Sequence, residues 1–305
     1  MPRRAPLPSF PAPAEPAAAD AEPVPIHLAY RVCEDIARTH YENFPVASRF
    51  IPTERRIALA AIYAFARQAD DVADAAAPSQ DRLRALDLIE EAFLEALDGA
   101  PRGAVFTALA DAVERHRLPA EPFLDLLGAF RLDARDATFA TWDDLLGYCR
   151  GSANPVGRLV LALYEIEDPE ALRASDAVCT ALQLTNFWQD LGQDLKRGRL
   201  FLPVEDLERF GLRREDLTRP SSRAGLTKLL THECRATRDL FARGTPIVRM
   251  TPALLSLHLR ATIAGGRAIL RAVERLGWRV LERRPTINGA ARVGIAIRAL
   301  AGLDG

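Results

Sequence analysis

Cysteine, histidine, methionine and aromatic side chains are all scarce in this chain. Its 305 residues include four cysteines, five histidines and two methionines, and aromatics make up 7%. Cys33, Cys149, Cys179 and Cys234 stand far apart with no C-x-x-C pair. That spacing excludes a zinc ribbon or redox dithiol and suits small buried thiols in a reducing compartment. His27, His40, His116, His232 and His258 show no metal spacing, and Ser48 lacks the glycine-flanked elbow of a hydrolase nucleophile. No apolar run approaches the roughly 20 residues a membrane-spanning helix needs; the longest smooth stretch, 159–164, is core-sized. Charge of one sign is missing too. With 40 basic against 41 acidic residues the net charge is -1, which gives no overall pull toward nucleic acid. No repeat period and no interior linker appear, so neither a solenoid nor a two-domain split is expected. What remains, 49% hydrophobic and 27% charged residues, is enough to bury a large core.

The first 25 residues hold eight prolines among alanines, with Arg3 and Arg4 near the start and no apolar h-region. Proline at that density removes amide donors, so residues 1–25 are expected to form a disordered or polyproline-like tail and not a secretory signal. Residues 26–305 are expected to form one domain. From Ile26 onward the apolar residues follow a helical period, strand alternation is almost absent, and prolines fall at segment edges. Thr53 after Pro52 and Ser79 after Pro78 open helical runs, and Thr141 with Asp144 matches a capping box. The expected fold class is all-α, with about ten or more helices.

Two acidic clusters stand on apolar helices. Arg67-Gln-Ala-Asp70-Asp71-Val-Ala-Asp74 closes a run that begins at Ile57. Asp70 and Asp74, four apart, share a helix face, where like charges repel unless cations neutralise them. Asn186, Asp190 and Asp194 recur at every fourth position of a second apolar segment, so their oxygens leave from one side. A solvated helix face normally interleaves bases among its acids, whereas these stack acids with arginine or lysine at the border. Hard oxygen donors suit Mg²⁺, which keeps several waters and bridges carboxylates to phosphate oxygens. The inferred ligand is a diphosphate held by magnesium.

These clusters and their flanks resemble the squalene and phytoene synthase family, the head-to-head isoprenyl diphosphate synthases, over roughly Ile26 to Leu300. The matching stretches are His40-Tyr-Glu-Asn-Phe44, Ala61-Ile-Tyr63-Ala-Phe-Ala-Arg67, Tyr148-Cys149 with Val156-Gly157, Gln183-Leu-Thr-Asn186 and Gly198-Arg199-Leu-Phe201-Leu-Pro203. The resemblance implies one isoprenoid-synthase bundle around a deep central cavity, with the two motifs facing each other at its mouth. It assigns Asp70, Asp74, Asn186, Asp190 and Asp194 to Mg²⁺, Asp71 being turned about 100° from Asp70. Arg67, Arg199 and Arg283 become diphosphate contacts, as a guanidinium fork suits phosphate. Phe44 and Tyr63 are placed against the substrate, as is Gln183.

The chain departs from most relatives at several positions. Gln189 stands where arginine is usual, Arg150-Gly-Ser152-Ala153-Asn154-Pro155 replaces an apolar, glycine-containing segment, Tyr41 replaces serine, and Arg131 replaces an acid. The set resembles best the bacterial hydroxysqualene synthases of hopanoid biosynthesis. That branch implies ionisation of presqualene diphosphate, rearrangement of the cation and its capture by water. Ser152 and Asn154, with Tyr148, are then expected to position the water. Asn154 serving backbone groups beside Pro155 is an equal alternative. Aromatic faces such as Phe44, Tyr63 and Trp188 suit a cation, although Trp188 at helical spacing reads as core. The alternatives are a synthase condensing two prenyl diphosphates to presqualene diphosphate, squalene or phytoene, and a non-catalytic assembly relative. Complete aspartate motifs speak against the latter. The lipid substrate implies a cytoplasmic chain, a monomer or weak homodimer, that touches the inner membrane surface, with no nucleic acid partner.

Overall fold

The computed structural model describes residues 24–39 and 51–286, over which the chain is all-α with no strand. Most of the expected tail, and the segment carrying His40, Tyr41, Phe44 and Ser48, lie outside the described residues. In chain order the helices are α1 (Ile26–Thr39), α2 (Thr53–Ala73), α3 (Ser79–Leu97), α4 (Gly103–His116), α5 (Glu121–Ala134) and α6 (Trp142–Ser152). They continue with α7 (Asn154–Leu163), α8 (Pro169–Lys196), α9 (Val204–Arg209), α10 (Arg223–Gly244), α11 (Ala253–Leu276) and a short 3-10 helix at Gly277–Leu281.

Local chemistry fixes most starts. Pro52, Pro78, Pro203 and Pro252 each sit directly before a helix, and Pro169 begins α8, where a missing amide proton costs nothing. At α6 the capping box forms with aspartate as its third residue. The Asp144 amide donates to Thr141 Oγ1 at 3.1 Å, and the Thr141 amide donates to Asp144 Oδ2 at 2.9 Å. The Ala171 amide donates to Asp168 Oδ2 at 3.0 Å at the head of α8.

Two apolar clusters form the core. One gathers α1 to α5 around Phe65, Phe93, Phe106 and Phe123, with ring centroids 5.1 to 6.3 Å apart in tilted and edge-on pairs. The other gathers α6 and α8 to α11 around the fully buried Trp188, whose Nε1 donates to Thr237 Oγ1 at 2.9 Å. Trp188 is therefore core. Helix α7 stands at the seam, giving Leu159 and Val160 to the first cluster and Leu161 to the second. Helix α8, about 42 Å long at 1.5 Å per residue, packs against α6, α7, α10 and α11. Among the described residues no helix is long and apolar enough to cross a membrane.

The second cluster encloses an acid. Glu233 on α10 is fully buried, and when protonated its carboxyl hydrogen-bonds to Asp206. Burial, with the Asp206 carboxylate beside it, pushes its carboxyl from the ordinary 4.5 up to about 9. At neutral pH the folded chain holds a proton there that the unfolded chain has lost. Stability from this group is therefore greatest below the unfolded value and falls as pH rises toward 9. Glu233→Gln is expected to raise Tm at pH 8 by about 5 °C and to flatten the decline of Tm above pH 5. Thermal melts followed by circular dichroism check this, and a variant that melts below wild type at pH 8 contradicts it.

Candidate active site

A cavity of about 390 Å³ opens at the seam between the two clusters. Leu59 and Ile62 of α2, Leu126 and Phe130 of α5, Val160 of α7 and Leu259 of α11 make its wall apolar. Seven of the expected residues line it together: Tyr63, Arg67, Asp70, Tyr148, Ser152, Gln183 and Asn186.

On α2 the cavity face runs through Leu59, Ile62, Tyr63, Ala66, Arg67 and Asp70, the three- and four-residue steps of one helical stripe. Asp74 caps the helix, and its amide still donates to the Asp70 carbonyl at 2.9 Å, so its carboxylate follows one turn beyond Asp70. Arg67 offsets the stacked charge: its Nη1 is 3.2 Å from Asp70 Oδ2 and its Nη2 pairs with Asp71. Asp71 thus belongs to the arginine and not to the cavity lining.

On α8 the stripe runs through Ser175, Cys179, Leu182, Gln183 and Asn186, and the same spacing continues through Asp190 and Asp194. Partial burial, with Asp190 close by, pushes the Asp194 carboxyl up to about 6. The helix ends in a Schellman turn. Gly198, at φ +79°, lets its amide donate to the Leu195 carbonyl at 3.1 Å and the Arg199 amide to the Asp194 carbonyl at 2.8 Å. The chain folds back as a result, so Arg199 pairs with Asp74 and links the two motifs. Phe201 stacks flat on Phe187, with centroids 3.9 Å apart and planes 2° apart.

Asp74, Asp190, Asp194 and Arg199 are not among the residues that line the cavity, and three further expected residues sit elsewhere. Asn154 does not line the cavity; it is buried, and its Oδ1 accepts from Thr180 Oγ1 at 2.9 Å, tying the start of α7 to α8. Gln189 is likewise buried outside the lining, with its Nε2 donating to the Pro285 carbonyl at 2.7 Å. Arg283 is exposed, and its neighbour Arg284 makes the contact instead, gripping both oxygens of Asp190, with Nη2 to Oδ2 at 2.9 Å. Sequence separated these adjacent arginines by nothing but one position. Arg131 faces outward and joins α5 to α3, with Nη2 at 2.7 Å from both Asp87 and Glu90.

A further acid lies inside. Asp133, on the last turn of α5, lines the cavity and accepts the Tyr148 hydroxyl at 2.8 and 2.9 Å. Burial pushes its carboxyl up to about 7, against the lowering effects of the Tyr148 hydrogen bond and Arg199. Burial and Asp133 in turn push the Tyr148 phenol well up. Its signal in the sequence is an acid at the third step of the apolar stripe Leu126, Phe130, Asp133.

Among the described residues no three acidic, histidine or cysteine side chains close a metal shell by themselves. The donor set nevertheless fits Mg²⁺, which takes one or two carboxylates and completes its shell with water and substrate phosphate. Asp70, Asp74 and Asp190 each pair with an arginine, Arg67, Arg199 and Arg284 in turn.

The squalene/phytoene synthase pattern matches residues 37–290. The chain is 38% identical over 213 residues to the hydroxysqualene synthase of Rhodopseudomonas palustris, covering 69% of this chain and 72% of that protein. It is 32% identical over 287 residues to the phytoene synthase of Mycobacterium tuberculosis, covering 90% and 92%. Its fold is similar to the crystal structure of squalene synthase HpnC from Alicyclobacillus acidocaldarius, at 41% identity and a TM-score of 0.78, covering 84% of this chain and 97% of that one.

Proposed function

This chain belongs to the squalene/phytoene synthase family, and from that premise we propose that it converts presqualene diphosphate to hydroxysqualene. The observation that carries this reading is the group Asp133, Tyr148 and Ser152, hydrogen-bonding side chains that line the cavity beside the apolar Leu126, Phe130, Ala153 and Val156. A cavity built solely to guide hydrocarbon has no use for them, whereas a cation captured by water needs the water held. The likeness to a hydroxysqualene synthase supports the same choice.

Asp70, Asp74, Asn186, Asp190 and Asp194 are the residues that would hold Mg²⁺, and the ion, when bound, supplies positive charge to the departing diphosphate. Arg67, Arg199 and Arg284 surround the same acids and add guanidinium forks that suit phosphate oxygens. The apolar wall keeps bulk water from the C30 cation. Tyr63, Phe130 and Tyr148 give it aromatic surroundings, with the Phe187–Phe201 stack packed behind Tyr148. Gln183 and Asn186 form the polar border on α8. Lipid substrate and product bring the chain to a membrane surface as a peripheral, cytoplasmic protein, a monomer or weak homodimer.

Condensation of two prenyl diphosphates is the second reading, favoured by the phytoene synthase likeness over 90% of the chain. Gln189, uncharged and bound to the Pro285 carbonyl, adds no cation for a second diphosphate. Incubation with Mg²⁺ and presqualene diphosphate without reductant, with mass spectrometry of the lipids, separates the two. Hydroxysqualene is the expected product, and EDTA is expected to abolish it. Inertness toward presqualene diphosphate with consumption of farnesyl or geranylgeranyl diphosphate supports the second reading instead.

A further inference from the structure

Water capture of a carbocation releases a proton, and a buried apolar cavity offers it few destinations. The attacking oxygen forms its bond to carbon while still carrying both hydrogens, so the first product is a protonated alcohol. Unless that proton leaves, the new C–O bond breaks again and the cation loses a C–H proton to give an alkene instead. A proton acceptor within reach of the capturing water therefore decides which product accumulates.

Three groups on two helices meet this need. Tyr148 and Ser152, four residues apart on α6, face the cavity one turn from each other. Ser152 Oγ is buried with no hydrogen-bond partner among the described residues, which leaves a donor and acceptor unused at the cavity wall. Tyr148 already donates to Asp133, at 2.8 and 2.9 Å to its two oxygens. Behind this pair Phe139, Phe187 and Phe201 close around Tyr148 at 5.2 to 6.0 Å between centroids. The charged groups acting on the pair are Asp70 and Asp74 of the α2 motif, Asp136 beyond α5, and one cation, Arg199, whose guanidinium is paired with Asp74. Asp133, near 7 through burial, takes up and gives back a proton around neutral pH.

We propose that Asp133 is the terminal proton acceptor of the water-capture step, reached through the Tyr148 hydroxyl, while Ser152 holds the water. The proposal rests on the hydroxysqualene reading above and names the base that reading lacks. A water lone pair forms the C–O bond to the cationic carbon. The protonated alcohol gives one proton to Tyr148 Oη as the Tyr148 hydroxyl proton passes to the Asp133 carboxylate. The products are a neutral alcohol, a neutral tyrosine and a protonated Asp133, which returns its proton to solvent before the next turnover. No oxidant or reductant enters, and the diphosphate has already left with its electron pair.

The test is a product partition on the full chain with Mg²⁺ and presqualene diphosphate. Diphosphate release counts ionisation and mass spectrometry counts alcohol. Asp133→Asn is expected to lower alcohol formed per diphosphate released by about 100-fold, with alkenes making up the difference. Asp133→Glu is expected to restore part of the alcohol, and Tyr148→Phe to shift the partition in the same direction as Asp133→Asn. A merely structural role would depress release and alcohol together and leave their ratio unchanged. An unchanged ratio in Asp133→Asn overturns the assignment of the base while the wild-type alcohol keeps the proposed reaction standing. Absence of alcohol from wild type, with diphosphate released, overturns both.

Discussion

Replacing Asp190 with asparagine is expected to lower turnover of the prenyl diphosphate substrate about 1000-fold while the protein stays folded. The amide keeps the shape of the carboxylate and removes its charge, at the middle position of the second motif. Loss of one charged group that organises a departing diphosphate costs several kcal/mol of transition-state stabilisation, and each 1.36 kcal/mol is a factor of ten in rate. Stability should barely move. The Arg284 partner is partly exposed, so the lost ion pair is worth about 0–1 kcal/mol, and removal of repulsion from Asp194 offsets it. Diphosphate release and a thermal melt measured on the same preparation check both halves. Activity within tenfold of wild type would take the second motif out of the chemistry, and a collapsed melt would make Asp190 a structural residue.

The fold and the two motif faces were legible because both rest on local period. Helix starts at Thr53 and Ser79 follow prolines, and the box at Thr141 is a four-residue pattern. The faces of Asp70 and Asn186 follow from steps of three and four along one helix. What spacing does not carry is the partner of a buried polar group. Gln189 and Asn154 both read as cavity residues because they stand where relatives differ. Each is an amide bonded to a group 96 or 26 residues away, Gln189 through its Nε2 to Pro285 and Asn154 through its Oδ1 to Thr180. Arg131 likewise owes its charge to Asp87 and Glu90 on α3, on the side of α5 away from the cavity. Asp133 stayed hidden for the opposite reason. An acid on an apolar stripe was visible in the sequence, but the hydroxyl that pairs with it comes from a different helix.

Those long-range contacts converge on one position that sequence marks faintly. Gly192 lies on α8 two residues past Asp190, and a Cβ built there would come within 2.6 Å of the Leu281 carbonyl oxygen and 2.8 Å of the Leu281 Cα and the Val280 carbonyl oxygen. All three are backbone atoms, so no side chain can turn aside. Gly192→Ala must push the 3-10 helix at Gly277–Leu281 off α8. The segment immediately after it carries Pro285, held by Gln189, and Arg284, which grips Asp190. The substitution is expected to cost about 1–3 kcal/mol by overpacking and to reduce turnover roughly tenfold by loosening Arg284 from the second motif. Gly265→Ala on α11 is the matched control. Nothing lies within 4 Å of its Cβ, so it should be neutral or gain up to about 1 kcal/mol from helix propensity. If Gly192 acts through Arg284, the losses of activity from Gly192→Ala and Arg284→Ala should not add in the double variant. Full additivity, or a Gly192→Ala protein that melts and turns over as wild type does, would mean that the closing segment does not set the geometry of Asp190.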